Sequence, residues 1–326
     1  MKKYLRDRIL QMVIVLIVVS LFSFFIMYFA PGDPMNMYIG AELSEEEEQL
    51  IKEDLGLDKP VWQQYIVWGK KVLTGDWGLS LVNRQPVIDQ ILEKLPATLS
   101  LMGISLIFSF VCAIPLGLLA GKNQNKLIDK IINMFVYFGI SIPGFWFGLL
   151  LIITFSLKLH WLPSNGMRTV GDGSLLDIAR HMVLPVIVLS IDNIAVLVKY
   201  IRSSTISQLQ EEYVVTAKAK GVPKAKIMTH HILKNCLLPV ITIAGMHLAG
   251  LVTGSFIVES VFGWPGMGTL GVKALNSRDY PMIMGCTILS CVLVIIGNLI
   301  ADILYGVADP RINERRASIG RNHTRN

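Results

Sequence analysis

The chain has 326 residues, of which 52% are hydrophobic and 17% are charged, with a formal net charge of +6. This balance, with a mean hydropathy of +0.54, excludes an ordinary soluble domain of this length and indicates a membrane protein. A pI near 9.1 could suggest a nucleic-acid partner, but the basic residues are distributed between apolar stretches, so we expect no such partner.

Six stretches are long and apolar enough to cross a membrane, since a transmembrane helix needs about 20 mostly apolar residues. They are Ile9–Ala30, Thr98–Gly121, Ile131–Leu157, Met182–Lys199, Cys236–Phe262 and Met282–Ala308. The sequence therefore predicts an all-α integral membrane protein with six transmembrane helices. We expect the first stretch to remain as a span, because it is too long for a signal-peptide core and Tyr28-Phe29-Ala30 is not a small-x-small cleavage site.

Lysine and arginine mark every second connection between these stretches. They are Lys2, Lys3, Arg6, Arg8, Lys122, Lys126, Lys130, Lys199, Arg202, Lys218, Lys220, Lys224, Lys226, Lys234, Arg311, Arg315, Arg316, Arg321 and Arg325. Because basic residues are enriched in cytoplasmic loops, both chain termini are predicted to be cytoplasmic. The predicted divisions are the N-terminus with the first span at 1–30, an external helical segment at 31–97, a five-helix core at 98–308 with a cytoplasmic loop at 200–235, and a cytoplasmic tail at 309–326.

Capping, proline and glycine signals predict three short helices in the external segment. They lie between Ser44 and Gly56, between Pro60 and Gly75, and between Pro86 and Pro96. The first opens with a capping-box pattern, and each of the others begins at a proline. We expect Pro96 to break the third helix before the second span. A loop folded over the membrane face is the favoured interpretation, and a docking surface for a soluble partner is the alternative.

Proline and glycine also interrupt the predicted spans. They are Ser141-Ile142-Pro143-Gly144 in the third, Pro185 in the first turn of the fourth, and Gly245, Gly250 and Gly254 in the fifth. In a membrane, glycine lets helix backbones approach closely, and proline frees backbone groups that need other partners. These residues indicate tight helix packing, or a set of helices that shifts between two packings.

The connection after the fourth span is predicted to be a helical hairpin. Ile206–Lys220 is expected to form a helix, with Gly221 at the position past its end where a left-handed residue is needed. Pro223 then opens a second helix. The apolar face of that second helix is predicted to hold Ala225, Met228 and Ile232. Such a hairpin could fit a groove on a soluble subunit, or it could lie on the lipid headgroups.

This hairpin resembles the cytoplasmic signature of the permease subunits of binding-protein-dependent ABC importers. The family pattern is Glu-Ala-Ala, three residues, then Gly, followed by Ile-x-Leu-Pro. This chain has Val215-Thr216-Ala217, then Gly221, and later Leu238-Pro239. Valine replaces the glutamate, and the Leu-Pro pair lies further from the glycine than in the general pattern. Both departures resemble the dipeptide, oligopeptide and nickel branch of the family.

Further motifs of that branch occur in order along nearly the whole chain. They are Pro31-Gly32-Asp33-Pro34, Leu55-Gly56-Leu57-Asp58-Lys59-Pro60, Gly75-Asp76-Trp77-Gly78-Leu79-Ser80, Leu95-Pro96-Ala97-Thr98-Leu99, Trp161-Leu162-Pro163, Trp264-Pro265-Gly266-Met267-Gly268, Arg278-Asp279-Tyr280-Pro281 and Asp309-Pro310-Arg311. Any one of them is weak. Their joint order and spacing carry the resemblance.

The resemblance implies a type I ABC importer permease fold in the cytoplasmic membrane of a prokaryote, with transport by alternating access. It implies four kinds of partner: a second homologous permease, two ABC ATPase subunits, an extracytoplasmic solute-binding protein and membrane lipid. The chain has no G-x-x-x-x-G-K-[ST] run, so we expect it to bind no cofactor and to be no enzyme, with ATP used by the partner subunits. The implied ATPase-coupling residues are Tyr213, Thr216, Ala217, Ala219, Gly221 and Pro223.

Ionisable groups within spans are functional candidates, because burying one costs about 3 kcal/mol or more. The candidates for a translocation path are Asp192, Met246, His247 and Glu259. Structural hydrogen bonding is the alternative for Asp192 and Glu259. A neutral imidazole is a good Ni²⁺ ligand, so His247 is a candidate metal ligand, with a packed histidine as the alternative. Gly245-Met246-His247 is similar to nickel permeases, which favours nickel or a nickel chelate over di- or oligopeptides.

A self-contained secondary transporter or channel is the alternative function, with Asp192, Glu259 and His247 as an ion relay. That alternative predicts transport by this polypeptide alone, whereas an importer subunit would transport nothing without its ATPases. An intramembrane enzyme is disfavoured, because the sequence contains neither H-E-x-x-H nor G-x-S-x-G.

Overall fold

The computed structural model describes residues 2–29, 59–236, 240, 252 and 255–308, which are largely helical. The helices are α1 Lys2–Phe29, α2 Val61–Leu73, α3 Val87–Lys122, α4 Leu127–Ser141, α5 Gly144–Leu151, the π-helix π1 Ile152–Lys158, α6 Leu175–Gln208, α7 Glu212–Ala219, α8 Lys224–Lys226, the π-helix π2 Ile227–Ile232, α9 Met267–Asn276 and α10 Tyr280–Ala308. Residues 255–262 are also helical.

Four of these helices are long and apolar enough to cross a membrane. They are α1 over Ile9–Phe29, α3, α6, and α10 over Tyr280–Ile300. A fifth is formed if α4 and the continuous α5–π1 helix, which meet at an angle of 105°, count as one span. The predicted span at Cys236–Phe262 falls largely outside the described residues. The count of six spans and the cytoplasmic placement of the termini therefore stay predictions.

The predicted break in the third span is confirmed. Ile142 takes an extended conformation with ψ 127°, and Pro143 precedes the first residue of α5 with ψ 125°. A proline disfavours the helical conformation of the residue before it, so α4 ends and the chain changes direction.

The predicted start of the fourth span is wrong. α6 begins at Leu175, and Pro185 lies inside the helix rather than in its first turn. The hydroxyl of Ser174 accepts a hydrogen bond from the backbone N–H of Asp177 at 3.2 Å, which caps the helix. The first turns of α6 are too polar for a hydropathy criterion to include, although the cap starts the helix there.

The helices predicted between the first and second spans differ from expectation in one place. α2 follows Pro60 and ends before Gly75, as predicted, and the helix predicted between Ser44 and Gly56 lies outside the described residues. Pro96, however, does not break a helix, because α3 runs through it. Leu95 packs in a buried cluster, and the hydroxyl of Thr98 accepts a hydrogen bond from Met267 N at 2.8 Å. These contacts on both sides of the proline compensate for its missing backbone hydrogen bond.

The chain divides into two compact units. One contains Ser100–Trp264 and α10 from Val294 onward, and the other contains Lys2–Leu99 and Pro265–Leu293. The first is built on α3, α4 and α6, whose buried cluster is Ala113, Ala120, Ile132, Val136, Ala195, Leu197, Val198, Ile201 and Val240. The second has the buried cluster Val87, Ile91, Met267, Ala274, Met282, Ile283 and Cys286.

In the first unit, α3 and α6 meet at a seam of glycines. A Cβ atom added at Gly117 would lie 2.6 Å from the Cβ atom of Ile201, and one added at Gly121 would lie 2.6 Å from the Cβ atom of Thr205. Residues four apart share one face of a helix, so both glycines line the same contact. The absent side chains let the two helices approach more closely than larger residues would allow.

Candidate coupling site

The connection that follows α6 folds as a helical hairpin. The helix predicted at Ile206–Lys220 is in fact divided, because the chain turns between α6 and α7. Glu211, just before α7, is extended with ψ 146°. The hydroxyl of Tyr213 donates a hydrogen bond to the side-chain carbonyl of Gln208 at 2.7 Å and so joins the two sides of the break. The division allows α7 to pack against the arm formed by α8 and π2.

Gly221 ends α7 in the left-handed conformation that the sequence predicted. Its φ is +74°, a region that costs glycine little and other residues more. Gly221 N donates to Lys218 O at 3.0 Å, and Val222 N donates to Ala217 O at 3.1 Å. This pair of hydrogen bonds is a Schellman motif, which satisfies the last carbonyl groups of the helix and fixes the direction of the chain that leaves it.

A small buried cluster holds the two arms of the hairpin together. It consists of Val214, Ala217, Ile227, Ile232 and Cys236. The predicted face of the second arm is therefore partly wrong, since Ala225 is exposed and Ile227 takes its place. The reason is π2, in which hydrogen bonds join residues five apart and bring Ile227 and Ile232 onto one face.

The predicted coupling residues divide between the cluster and the outer surface of the hairpin. Ala217 is buried and Tyr213 is half-buried. The exposed members are Thr216, Ala219, Gly221 and Pro223. Val215 adds an apolar side chain to this surface, with 59% of its area exposed. Lysines flank it, at Lys218, Lys220, Lys224 and Lys226. The hairpin thus offers a small apolar patch with lysines beside it and with Glu211 and Glu212 exposed at the start of α7, an arrangement that suits docking to a partner.

The hairpin is connected to the membrane helices through packing. Leu118 of α3 packs against both the hairpin cluster and the cluster between α3, α4 and α6. The hydroxyl of Thr205 lies 3.7 Å from the sulfur of Cys236, at the two ends of the hairpin. A displacement of the hairpin would therefore directly disturb its packing contacts with α3 and α6.

An ion pair joins α6 to α4 close to the end of α6 that leads into the hairpin. Arg202 donates two hydrogen bonds to Asp129, from Nε to Oδ1 at 2.6 Å and from Nη2 to Oδ2 at 2.7 Å. The carboxylate is almost completely buried and also accepts from Asn125 N at 2.8 Å and Asn133 Nδ2 at 2.7 Å. From the sequence Arg202 is only a topology signal, because nothing in the sequence pairs it with a residue 73 positions away.

The opposite end of α6 carries a second network that the sequence did not reveal. Asp177 accepts hydrogen bonds from Thr169, from the backbone N at 2.6 Å and from Oγ1 at 2.8 Å. His181 Nδ1 lies 3.0 Å from Gly166 O. These contacts hold the loop before α6, beside a cavity of about 360 Å³ that is lined in part by Trp161 and Asp177. Of the two predicted path residues that the structure describes, neither Asp192 nor Glu259 lines this cavity.

The structure describes two of the four predicted path residues. Asp192 is exposed on α6, whereas Glu259 is completely buried in the helical stretch 255–262. Met246 and His247 lie outside the described residues, so their predicted roles stay predictions. Within the described ranges, no three His, Cys, Asp or Glu side chains are grouped closely enough to hold a metal ion.

Two family models together match most of the chain. Residues 113–314 match the model described as the binding-protein-dependent transport system inner membrane component, and residues 1–102 match the N-terminal model of the same components. The chain therefore belongs to the permease subunits of binding-protein-dependent ABC importers, in the dipeptide, oligopeptide and nickel branch. It is a component of the cytoplasmic membrane.

Curated relatives and a solved structure agree with this family. The oligopeptide transport system permease protein AppB of Bacillus subtilis is 40% identical over 96% of this chain and 99% of its own length. The dipeptide transport system permease protein DppB of Escherichia coli is 35% identical over 91% and 95%. A chain of the MetNI methionine ABC transporter, solved in inward facing conformations, matches with a TM-score of 0.55 and 17% identity over 68% of this chain and 97% of its own. That likeness bears on the fold alone.

Proposed function

We propose that this chain is one of two permeases in an ATP-driven importer that moves di- or oligopeptides into the cell by alternating access. The observation that carries the proposal is the hairpin of α7, Gly221 and π2, which has its own buried cluster, exposes one surface and packs against α3 through Leu118. Its exposed patch around Val215 is the docking surface for an ATPase subunit, in the manner of a helix seated in a groove. ATP binding and hydrolysis belong to the partners.

Peptides are the proposed substrate class. AppB and DppB are named for oligopeptide and dipeptide transport, and a 35% identical relative from Escherichia coli, GsiC, is named for glutathione transport. All three names support a peptide cargo. The nickel hypothesis rests on the Gly245-Met246-His247 segment, which lies outside the described residues, and no relative reported above is named for nickel. We therefore prefer peptide to metal.

Asp192 supports a translocation path along α6. A carboxylate within a membrane span is costly in contact with lipid, so such a group faces a protein partner or a water-filled route. Asp192 is exposed on the surface of this chain, in a helix whose neighbouring side chains are mostly buried. The second permease and the route between the two subunits would cover it.

Reconstitution tests the function. The complete complex in proteoliposomes, supplied with the solute-binding protein, should take up a radiolabelled peptide only when the ATPases have ATP. ⁶³Ni²⁺ should not be taken up by the complex and should not compete with the peptide. This chain reconstituted alone should accumulate neither. Uphill uptake by the chain alone, driven by an ion gradient, would favour a secondary transporter instead, and nickel uptake by the complex would reverse the choice of substrate.

A further inference from the structure

The helix α2 is amphipathic, and one of its apolar stripes is exposed. At 100° of rotation per residue, Trp62, Ile66 and Leu73 lie within about 40° of one another around the helix axis. All three are exposed, and Leu73 reaches 89%. Gln64 and Lys71 lie on the other side of the helix. An exposed apolar stripe of this kind indicates contact with protein or with membrane rather than with water.

Neighbouring positions of α2 pack against α1. The hydroxyl of Tyr65 lies 2.8 Å from the hydroxyl of Ser20, so the two groups share a hydrogen bond. The ring of Phe24 lies 5.5 Å from that of Tyr65 and 6.0 Å from that of Trp68, measured between ring centroids. Later residues of α2 thus meet later residues of α1.

The position of these contacts along α1 sets their depth in the bilayer. The apolar part of α1 is Ile9–Phe29. Ser20 lies about 14 Å from the Phe29 end of that stretch and Phe24 about 8 Å, at 1.5 Å per residue. Because the hydrocarbon core is about 30 Å thick, Ser20 lies near the middle of the membrane and Phe24 lies within one leaflet. A helix whose side chains reach both positions lies at the same depth.

We propose that α2 is embedded in the leaflet at the Phe29 end of α1, with the stripe of Trp62, Ile66 and Leu73 in contact with lipid acyl chains. The helix does not fold over the membrane surface. The direction of the contacts places Lys70 and Lys71 towards the headgroups, where their long side chains reach charged phosphates. Gln64 lies on the opposite side of the helix from the stripe, and Gln63 lies about 80° from its centre.

Fluorine NMR of the full chain can test this placement. The chain has six tryptophans, and 5-fluorotryptophan gives each its own resonance. In nanodiscs of phosphatidylethanolamine and phosphatidylglycerol, the signal that Trp62→Phe removes should be lost to broadening when doxyl-labelled lipid is added. It should keep its intensity with a water-soluble gadolinium chelate. Trp161, exposed in the loop before α6 and assigned through Trp161→Phe, is the matched control and should respond in the opposite way.

Three results would overturn the proposal. Broadening of the Trp62 signal by gadolinium alone would place the stripe in water. Broadening by both reagents would place α2 at the membrane surface. Protection from both reagents would mean that protein, rather than lipid, covers the stripe.

Discussion

Asp129 and Arg202 join the first turn of α4 to α6 through two charge-assisted hydrogen bonds. Removing one partner leaves the other charge buried without compensation, a loss of about 3 kcal/mol for a pair as well enclosed as this carboxylate. Arg202→Met should therefore lower the free energy of unfolding in detergent micelles by about that amount. Arg202→Lys should lose less, because one donor remains while the bidentate geometry is lost.

The double variant Asp129→Leu with Arg202→Met separates charge from packing. Since it removes both charges together, it should be more stable than Arg202→Met alone. Glu93→Gln, which removes an exposed ion pair with Lys94, is the matched control and should change stability by about 0.5 kcal/mol or less. If Arg202→Met and Glu93→Gln had equal effects, the buried pair would not be a structural anchor.

The contact between α3 and α6 gives a prediction at the scale of helices. Gly117→Ala and Gly121→Ala would each force a Cβ atom against a neighbour at 2.6 Å, and overpacking of this kind costs about 1–3 kcal/mol. Both variants should unfold at lower temperature. Gly103→Ala, in the same helix with no described atom within 4 Å of the added Cβ, should leave the unfolding temperature unchanged or raise it. Equal midpoints for all three variants would show that the seam is not closely packed.

Local signals predicted the elements that depend on single residues. The break at Pro143 and the left-handed turn at Gly221 follow from what proline and glycine permit, wherever they occur. Pro96 and Pro185 carried the same signals but sit inside α3 and α6. Pro185 lies among buried side chains of α6, whereas Thr98, two residues after Pro96, accepts a hydrogen bond from Met267 N. Burial and contacts of this kind depend on residues far away in the sequence, which local signals do not reveal.

The sequence predicted the hairpin of the candidate site and the position of its turn, but it did not predict which residues of the second arm are buried. The sequence placed a hairpin with a glycine turn at the right position, because its cap and helix signals are local. It could not predict π2, which replaces Ala225 by Ile227 on the buried face. In π2, residues five apart are both buried by packing against α7. A search for apolar residues at 3.6 residues per turn does not reveal such a pattern.

At the scale of the whole molecule, the alternation of basic connections predicts opposite sides for the loop before α6 and the hairpin after it. Cysteines introduced by Val170→Cys and Lys220→Cys are both at exposed positions. A membrane-impermeant maleimide applied to intact cells should label only the first, and it should label the second after the membrane is opened. Labelling of both in intact cells would contradict the predicted topology.

The coupling role of the hairpin is tested most directly by the number of peptides imported per ATP hydrolysed in the complete complex. Gly221→Val forces a β-branched residue into φ +74° and should lower that ratio at least tenfold, with assembly of the complex preserved. Gly221→Asn, whose residue type tolerates the left-handed region, should stay within about twofold of the natural chain. An unchanged ratio in Gly221→Val would contradict the claim that this turn transmits the work of the ATPases to the membrane helices.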